Sequence, residues 1–285
     1  LYEKFNPKIL KLYKREILNE IDKKIPVLPK PSINKLIQNR LTEKEFLNKN
    51  NITTTQFESI KNIDDLMLNE RLVPGLLKTC TLGYDGKGQY KVNNLDDIGE
   101  NFDFSKGYIL EKLVNLKKEI SVIVTRFGHQ KYEIYDPIEN YHEDQILKRS
   151  KIPADINDEI KNKALDWTKS IAEELDYIGT MCVEFFIDKN DNLYANEVAP
   201  RVHNSGHLTI NSHNISQFEN HIRAVCGLEK IETKKIYNAN MLNLIGEDIL
   251  DYKNKNFKEN EFFFDYLKKV VKAKRKMGHL TTIEN

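Results

Sequence analysis

Apolar residues recur at every third or fourth position in several stretches of the chain, which predicts amphipathic helices there. The clearest stretch covers residues 157–176, where Ile160 and Trp167 share one face that we assign to the core. Ser32 and Thr42 are the predicted N-caps of two shorter helices, because hydroxyl oxygens accept hydrogen bonds from the first free backbone N–H groups. Further helical patterns cover residues 6–20 and a stretch that starts at Asn214 or Ser216 and runs to Cys226.

Short apolar runs bounded by turn residues predict six β-strands. Their ranges are 76–80, 90–92, 107–114, 119–127, 181–187 and 193–197. The third and fourth runs are joined by a tight turn at 115–118, and the last two by a strong turn signal at 188–192. Helices mixed with strands that follow one another through short turns predict an α/β fold of the α+β kind, with antiparallel sheets.

A glycine-rich segment, GYDGKGQ at 83–89, separates the first two strands and makes them a hairpin with a flexible tip. Its glycines leave backbone N–H groups free to wrap phosphate oxygens, and Lys78 and Lys87 add positive charge. A Walker phosphate loop is excluded, because GxxxxGK[ST] is absent and no helix follows. The segment indicates a phosphate-binding turn, with an ordinary hairpin turn as the alternative.

Two carboxylates are predicted to face each other across the last hairpin. If Asp188 and Leu193 close a loop at 189–192, antiparallel register places Glu184 directly opposite Glu197 on one face. Facing carboxylates repel unless a cation lies between them. Mg²⁺, which prefers one or two carboxylates together with phosphate oxygens, fits this pair. The alternative is a register shifted by one residue, with both acids facing solvent.

The most polar stretch of the chain surrounds the second carboxylate, at 196–207. Its sequence, NEVAPRVHNSGH, holds an acid, an arginine, two histidines, two asparagines and a serine, with a proline and a glycine to set the turns. This density of polar groups exceeds what solubility requires. We therefore interpret the stretch as the segment against which a substrate is held.

Composition excludes several classes of protein. The 285 residues carry 44 basic and 43 acidic side chains, and a net charge of +1 gives no general attraction to nucleic acid or an anionic membrane. No apolar run approaches the ~18 residues of a membrane span. The three scattered cysteines favour a reducing, cytoplasmic location over a disulfide framework or structural zinc. Because the chain starts at Leu1 inside a helical pattern, we expect further residues upstream.

Taken together, these motifs resemble the ATP-grasp ligases and, among them, the 5-(carboxyamino)imidazole ribonucleotide synthases of purine biosynthesis. The resemblance covers roughly residues 26–279. Its pieces are Arg40-Leu41 with Glu43-Lys44, LKT at 77–79, GYDGKGQ at 83–89, EFF at 184–186, NEVAPR at 196–201, HNSGH at 203–207, SQFE at 216–219 and RKMGH at 275–279. HNSGH after APR is specific to this family, whereas the glycine-rich segment is common to the superfamily.

The resemblance implies an ATP-grasp fold of antiparallel sheets with a glycine-rich lid hairpin. Residues 1–38 would be the remnant of an N-terminal Rossmann-like domain, 39–227 the ATP-grasp domain with its lid at about 70–135, and 228–285 a small C-terminal domain. It also implies ATP- and bicarbonate-dependent carboxylation of 5-aminoimidazole ribonucleotide through carboxyphosphate, with release of ADP and phosphate, by a homodimer.

The same resemblance assigns site residues. The implied ATP site consists of Arg40, Lys78, Gly83, Tyr84, Asp85, Gly86, Lys87, Gly88, Gln89, Glu111, Lys112, Leu113, Val114, Glu119, His142, Asn196 and Glu197. The implied ribonucleotide site consists of Tyr84, Asp85, Lys87, Arg201, His203, Asn204, Ser205, Lys268 and Arg275. Asp85, Lys87, Arg201 and Lys268 are the implied catalytic residues. Mg²⁺, with Mn²⁺ as the alternative, is expected on Glu184 and Glu197.

Two departures from the family pattern and two rival functions complete the expectations. Leu267, Lys272, Ala273 and Lys274 replace the residues usual before Arg275, which changes the expected loop shape. Ala199 stands where other ATP-grasp enzymes often have Asn, so a second metal contact is expected elsewhere, such as Asn196. The rivals are another ATP-grasp ligase, such as a formate-dependent glycinamide ribonucleotide transformylase, and a non-catalytic nucleotide- or RNA-binding module that uses the basic run at 268–276. That run lacks interleaved aromatic residues, which favours a phosphate-binding arm or a solvated face.

Overall fold

Two antiparallel sheets form the framework of this protein. The structure, a computed structural model, describes residues 17–81, 88–99 and 102–284. The strands are β1 (Phe57–Ile60), β2 (Gly75–Thr79), β3 (Gln89–Val92), β4 (Tyr108–Lys112), β5 (Leu116–Gly128), β6 (Lys131–Ile134), β7 (Ile138–Glu143), β8 (Ile146–Ile152), β9 (Gly179–Asp188), β10 (Leu193–Ala199), β11 (Asn238–Ile245), β12 (Glu261–Asp265) and β13 (Lys276–Glu284). Four of them form a small sheet in the order β1-β4-β2-β3. The other nine form a large sheet in the order β10-β9-β5-β7-β8-β11-β13-β12, with β6 beside β5.

Seven α-helices lie around these sheets in the described residues, beyond a helical stretch at 17–22. They are α1 (Pro31–Ile37), α2 (Arg40–Lys49), α3 (Ile63–Leu68), α4 (Asp158–Glu174), α5 (Thr209–Ser212), α6 (Gln217–Val225) and α7 (Asp248–Lys253). Short 3-10 turns occur at Glu70–Leu72, Leu95–Asp97, Phe104–Lys106 and Asn204–Leu208. None of the helices that the structure describes is long and apolar enough to cross a membrane.

The longest helix confirms the strongest helical pattern in the sequence. Asn157 caps α4 by accepting a hydrogen bond from the Ile160 backbone N–H, 2.8 Å away. Buried residues of α4 pack with those of β5 and β9 in the main hydrophobic cluster, and Trp167 packs against that cluster while remaining partly exposed. The α/β class with antiparallel sheets is therefore confirmed.

The helices α1 and α2 begin earlier than the sequence predicted. Pro31 opens α1, where its missing N–H is no loss because the first N–H groups of a helix lack partners. Asn39 caps α2, since its side chain accepts hydrogen bonds from Leu41 N and Thr42 N. The prediction of Ser32 and Thr42 as N-caps is therefore wrong, and both residues lie inside the first turn.

The segment 107–127 does not form a hairpin. β4 pairs with β1 and β2 in the small sheet, whereas β5 pairs with β7 and β9 in the large sheet. The predicted turn at 115–118 is wrong, because β5 already begins at Leu116. Both faces of the run at 120–124 are buried, so these residues are stabilised in the middle of the large sheet rather than beside β4.

The strands near the C-terminus continue the large sheet. β11 pairs with β8 on one side and with β13 on the other. Residues 57–112 supply the small sheet, and the strands of 116–134 belong to the large one. The domain boundaries expected from the resemblance stay a prediction. Strands of the expected lid occur in both sheets, and those of the expected C-terminal domain belong to the large sheet.

Gly278, in the middle of β13, has no room for a side chain. An added Cβ would lie 2.4 Å from the Phe264 carbonyl oxygen and 2.8 Å from Ile249 Cδ1. We expect Gly278→Ala to lower the free energy of unfolding by about 1–3 kcal/mol, because the neighbouring strand must shift. Urea denaturation measures this difference. Gly99→Ala is the control, since nothing lies within 4 Å of its added Cβ; equal losses in the two variants would contradict the steric argument.

Candidate active site

A cavity of about 1170 Å³ opens between the start of α2, the strands β7, β9 and β10 of the large sheet, and the loop after β10. It brings together residues that are far apart in the sequence. The predicted site residues on its wall are Arg40, Gln89, Glu119, His142, Glu184, Asn196, Glu197, Arg201, His203 and Asn204.

The paired carboxylates face each other as predicted, although the hairpin differs in register at its tip. Leu193 pairs with Ile187 rather than with Asp188, so pairing near the turn is shifted by one residue. A β-bulge between Ala195 and Glu197 removes the shift, and Glu197 pairs with Glu184. Asn196 is the extra residue of this bulge and also lines the cavity.

The two carboxylates have different electrostatic surroundings. Arg40 Nη1 lies 3.6 Å from Glu197 Oε2, and His203 Nε2 lies 3.0 Å from Glu184 Oε1. Withdrawal from bulk water, and then the charge of Glu184, raise the pKa of Glu197. Burial also disfavours the charged form of Glu184, but the hydrogen bond and charge of His203 lower its pKa overall. The repulsion within the pair is therefore only partly compensated by protein groups.

The donor set fits a hard divalent cation that shares its coordination with a ligand. Glu184 and Glu197 supply carboxylate oxygens from adjacent strands. Among the described residues, no group of three or more His, Cys, Asp or Glu side chains surrounds one point. A cation at this pair would therefore need further oxygen ligands, and phosphate oxygens are those that Mg²⁺ commonly takes.

A second charged pair lies nearby on the cavity wall. His142 Nδ1 is 2.7 Å from Glu119 Oε2. Although burial opposes a charged ring, the hydrogen bond and the charge of Glu119 raise the pKa of His142. The two residues predicted at the ATP site are thus in contact, and each holds the other in place.

Lys78 and Glu111 form a buried cluster instead of lining the cavity. Glu111 Oε2 lies 3.0 Å from Lys78 Nζ and 3.5 Å from Lys44 Nζ, and it accepts a hydrogen bond from Thr55 Oγ1 at 3.0 Å. Burial would raise the pKa of Glu111, but the two lysines and Thr55 lower it to about 2. The Glu111 carboxylate is therefore the shared ion-pair partner of both buried lysines.

The rest of the predicted adenine-contacting segment follows β4. Lys112 is exposed, and Leu113 and Val114 are half-buried in the connection between the two sheets. The Leu113 N–H donates to the Pro74 carbonyl oxygen at 3.3 Å. Their contact with ATP stays a prediction.

The glycine-rich tip falls only partly within the described residues. Gly83, Tyr84, Asp85, Gly86 and Lys87 lie outside them. The flanking hairpin is confirmed, because β2 pairs with β3 and Lys78 lies opposite Gln89. Gly88 has a φ of 74°, a conformation that favours glycine, and its carbonyl oxygen accepts a hydrogen bond from Thr79 N at 2.9 Å.

Gln217 holds the polar loop after β10 in shape. Its side chain accepts a hydrogen bond from His203 N at 2.9 Å and donates to His203 O at 2.7 Å. A Cβ on Gly206 would lie 2.8 Å from this amide, so only glycine allows the close approach. His207 Nδ1 lies 3.1 Å from Gln217 Nε2, which makes His207 part of this support.

The other predicted ribonucleotide residues differ in their surroundings. Ser205 is fully buried and contacts His203 Nδ1. Lys268 Nζ donates a hydrogen bond to the Lys276 carbonyl oxygen. Arg275 and Arg201 are exposed. Of these four residues the cavity wall includes Arg201, and the contacts of all four with a nucleotide stay predictions.

Glu43 is the main residue that sequence reasoning gave no role. It is 4% exposed, lines the cavity, and its Oε1 accepts a hydrogen bond from Val198 N at 2.6 Å. Burial and the charge of Glu197 raise its pKa to about 8. The available signal was its position four residues before the buried Leu47, on the apolar face of α2. The other wall residues without an assigned role include Leu147, Phe186 and Lys276.

Removing the charge of Glu111 is expected to destabilise the protein strongly. Glu111→Gln leaves two buried lysines uncompensated, which costs about 3–5 kcal/mol of unfolding free energy. Because the pKa of Glu111 is lowered from 4.5 to about 2, its stabilisation is present above pH 4.5 and is lost as the pH falls toward 2. The difference from wild type should therefore narrow below pH 4.5 in urea unfolding experiments.

The matched control for this experiment is Glu58→Gln. Glu58 lies on β1 of the same small sheet and pairs with Arg71, with both side chains exposed. An exposed pair contributes at most about 1 kcal/mol. Similar losses in the two variants would contradict the buried-cluster argument.

Comparison with known proteins identifies the class first. The family model of the ATP-grasp domain matches residues 45–218, and that of the phosphoribosylaminoimidazole carboxylase C-terminal domain matches residues 239–285. The chain thus contains an ATP-grasp domain, followed by the second matched domain.

Relatives and solved structures then identify the family. N5-carboxyaminoimidazole ribonucleotide synthase of Brucella melitensis is 40% identical over 264 residues, covering 90% of this chain and 73% of the relative. The enzyme of Staphylococcus aureus strain COL is 39% identical over 257 residues, covering 88% of this chain and 68% of the relative. The Staphylococcus aureus enzyme complexed with ADP is similar in structure, with a TM-score of 0.87, 37% identity and coverage of 95% of this chain and 74% of that chain. The Aspergillus clavatus enzyme in complex with ADP and 5-aminoimidazole ribonucleotide has a TM-score of 0.86 and 29% identity, and the match covers 95% of this chain and 74% of that chain.

This chain belongs to the N5-carboxyaminoimidazole ribonucleotide synthase family. It is an ATP-dependent ligase of purine biosynthesis with the ATP-grasp fold. The family and fold indicated by the sequence motifs are confirmed.

Proposed function

We propose that this site catalyses the carboxylation of the exocyclic amine of 5-aminoimidazole ribonucleotide. The reaction uses bicarbonate and ATP and releases ADP and phosphate. The observation that carries this proposal is the arrangement around Glu197. The facing Glu184–Glu197 pair with Arg40 and the neighbouring loop with His203 and Asn204 line the same cavity. A phosphate donor bound at the carboxylates and an amine acceptor bound at the loop would be adjacent.

Glu184 and Glu197 are the proposed metal ligands. Mg²⁺ between them would relieve the repulsion seen in the site and would neutralise the phosphate charge of ATP. Mn²⁺ is also a cation that carboxylate oxygens suit. Asn196, the bulged residue beside Glu197, is the proposed additional oxygen donor, because Ala199 offers none.

The proposed ATP site extends from the carboxylates toward the small sheet. Arg40 carries a charge suited to phosphate, and Glu119 with its His142 partner suits the ribose hydroxyls. Gln89, at the start of β3 in the small sheet, lines the cavity on this side. Lys78, which the resemblance assigns to ATP, lies behind this wall in its buried ion pair with Glu111.

The chemistry requires positioning more than covalent help from the protein. Bicarbonate is a poor electrophile, so ATP first phosphorylates it to carboxyphosphate, a step governed by alignment and charge neutralisation. Carboxyphosphate and the CO₂ derived from it must be kept from bulk water. Closure of the glycine-rich hairpin over the cavity would serve this purpose.

The acceptor nucleotide is proposed to bind along the loop after β10. Arg201 and Asn204 would face it, with Lys268 and Arg275 at its phosphate. Asn204 is held firmly, since its Oδ1 accepts a hydrogen bond from Asn243 Nδ2 at 2.6 Å.

Asp85 and Lys87 are proposed to act in the catalytic step. We further propose that the chain works as a cytoplasmic homodimer, which sedimentation analysis of the purified protein would test.

Loss of either facing carboxylate is expected to abolish turnover. Changes to groups that only support metal ligands cost 10–100-fold, so we expect Glu184→Gln and Glu197→Gln each to lower the rate of ADP release by at least about 100-fold. Glu232→Gln is the control, because its side chain is exposed at 72% and lies outside the cavity wall. Near-normal rates in either site variant would disprove the metal assignment.

The choice of acceptor separates this function from its rival. We expect ADP release to require 5-aminoimidazole ribonucleotide and bicarbonate together. A coupled assay would compare this pair with glycinamide ribonucleotide and formate. Activity only with the second pair would show a transformylase instead. ATP binding with no turnover for either pair would favour a non-catalytic module.

A further inference from the structure

Both ring nitrogens of His203 are engaged inside the protein. Nε2 lies 3.0 Å from Glu184 Oε1, and Nδ1 lies 2.8 Å from Ser205 Oγ. Nδ1 also accepts a hydrogen bond from the Ser205 backbone N–H at 3.4 Å. This contact favours the tautomer in which Nε2 carries the hydrogen that faces Glu184. His203 is thus a partner of the carboxylate before it is a partner of any ligand.

A buried row of side chains continues from Ser205 across the large sheet. Ser205 Oγ lies 2.8 Å from Ser121 Oγ, which accepts a hydrogen bond from Asn140 Nδ2 at 2.9 Å. Asn140 Oδ1 in turn accepts from Ser150 Oγ at 2.9 Å. Ser121 and Ser205 are 0% exposed, so water cannot replace these contacts. The row fixes the hydroxyl that holds Nδ1 of His203.

Register explains why this row ends at the metal carboxylate. Ser121 on β5 is the direct cross-strand neighbour of Glu184 on β9, so both side chains project from the same face of the sheet. The 3-10 turn that begins at Asn204 packs against that face. Ser121 therefore reaches His203 through Ser205, while Glu184 reaches it directly.

We propose that Ser205 and Ser121 are positioning residues that keep His203 turned toward Glu184, and that His203 thereby fixes the orientation of the metal-binding carboxylate. A rotation of the ring by 180° would place a carbon against Glu184 Oε1 and lose the hydrogen bond. A serine hydroxyl donates or accepts, so it holds Nδ1 in both protonation states of the ring. With Oε1 held by His203, Oε2 of Glu184 is left to face the cation.

This inference rests on the proposed role of Glu184 in metal binding. It changes the role expected for Ser205 and gives a role to Ser121. Ser205 was assigned to the ribonucleotide by resemblance, and its burial and contacts now place it behind His203. Ser121 had no assignment. Groups that orient metal ligands typically contribute 10–100-fold to metal affinity.

The test is Mn²⁺ affinity in the presence of ADP, measured by electron paramagnetic resonance on the full chain. We expect Ser205→Ala to weaken Mn²⁺ binding about 10-fold and Ser121→Ala to weaken it less, in the same direction. Ser205→Cys keeps the side-chain size and guards against a folding defect. Ser212→Ala is the matched control, because Ser212 Oγ also lies 2.8 Å from a histidine Nδ1, that of His213, and is equally buried. It should bind Mn²⁺ as wild type does.

The possible results separate this inference from the proposed function. If Glu184→Gln weakens Mn²⁺ binding while both serine variants bind as wild type, the positioning role is wrong and the metal assignment survives. If Glu184→Gln also leaves Mn²⁺ affinity unchanged, the metal assignment itself fails. If the serine variants raise only the KM for the ribonucleotide, His203 serves the acceptor and the positioning role is again overturned. Equal weakening in Ser212→Ala would likewise overturn it.

Discussion

The repulsion between two carboxylates on neighbouring strands is the constraint around which this site is built. Glu184 and Glu197 are cross-strand partners, and cross-strand side chains lie within about 5.5 Å of each other. Arg40 at the start of α2 approaches Glu197, and His203 in the loop after β10 approaches Glu184. Neither contact removes the repulsion fully, since the pKa of Glu197 remains raised. In the function that we propose, a divalent cation with phosphate ligands would complete the compensation, so substrate binding and charge balance would be one event.

The edge position of β10 explains why α2 belongs to the site. β10 is an edge strand of the large sheet, so the backbone groups on its outer side have no neighbouring strand to pair with. The Val198 N–H donates instead to Glu43 Oε1, and the Ala195 N–H donates to Thr53 O at 2.8 Å. These contacts flank Glu197 on both sides. The helix that supplies Arg40 therefore also sets the position of the carboxylate that Arg40 contacts.

The loop after β10 is positioned by buried polar groups from three separate elements. Gln217 of α6 holds the backbone of His203, Asn243 of β11 holds the side chain of Asn204, and Ser121 of β5 acts through Ser205. Buried hydrogen bonds are directional, and a lost partner leaves an unsatisfied group, so such contacts specify one conformation. The loop itself has no regular structure beyond one 3-10 turn. Its geometry is thus a property of the sheet and helix beneath it.

The sequence by itself determined what depends on neighbours along the chain: the amphipathic helix α4, the hairpins around the glycine-rich segment and the 189–192 loop, and the motifs of the family. It also predicted the pairing of Glu184 with Glu197, although a bulge at Asn196 restores a register that the tip of the hairpin had shifted. Only the tertiary structure decided the rest. The assignment of β4 and β5 to different sheets, the neutralisation of Lys78 by Glu111 and the contact of Glu43 with Val198 all join residues distant in sequence or depend on which surfaces pack together. Periodicity and turn signals report local preference, whereas these contacts arise from burial of charges and backbone groups that must find partners once water is excluded.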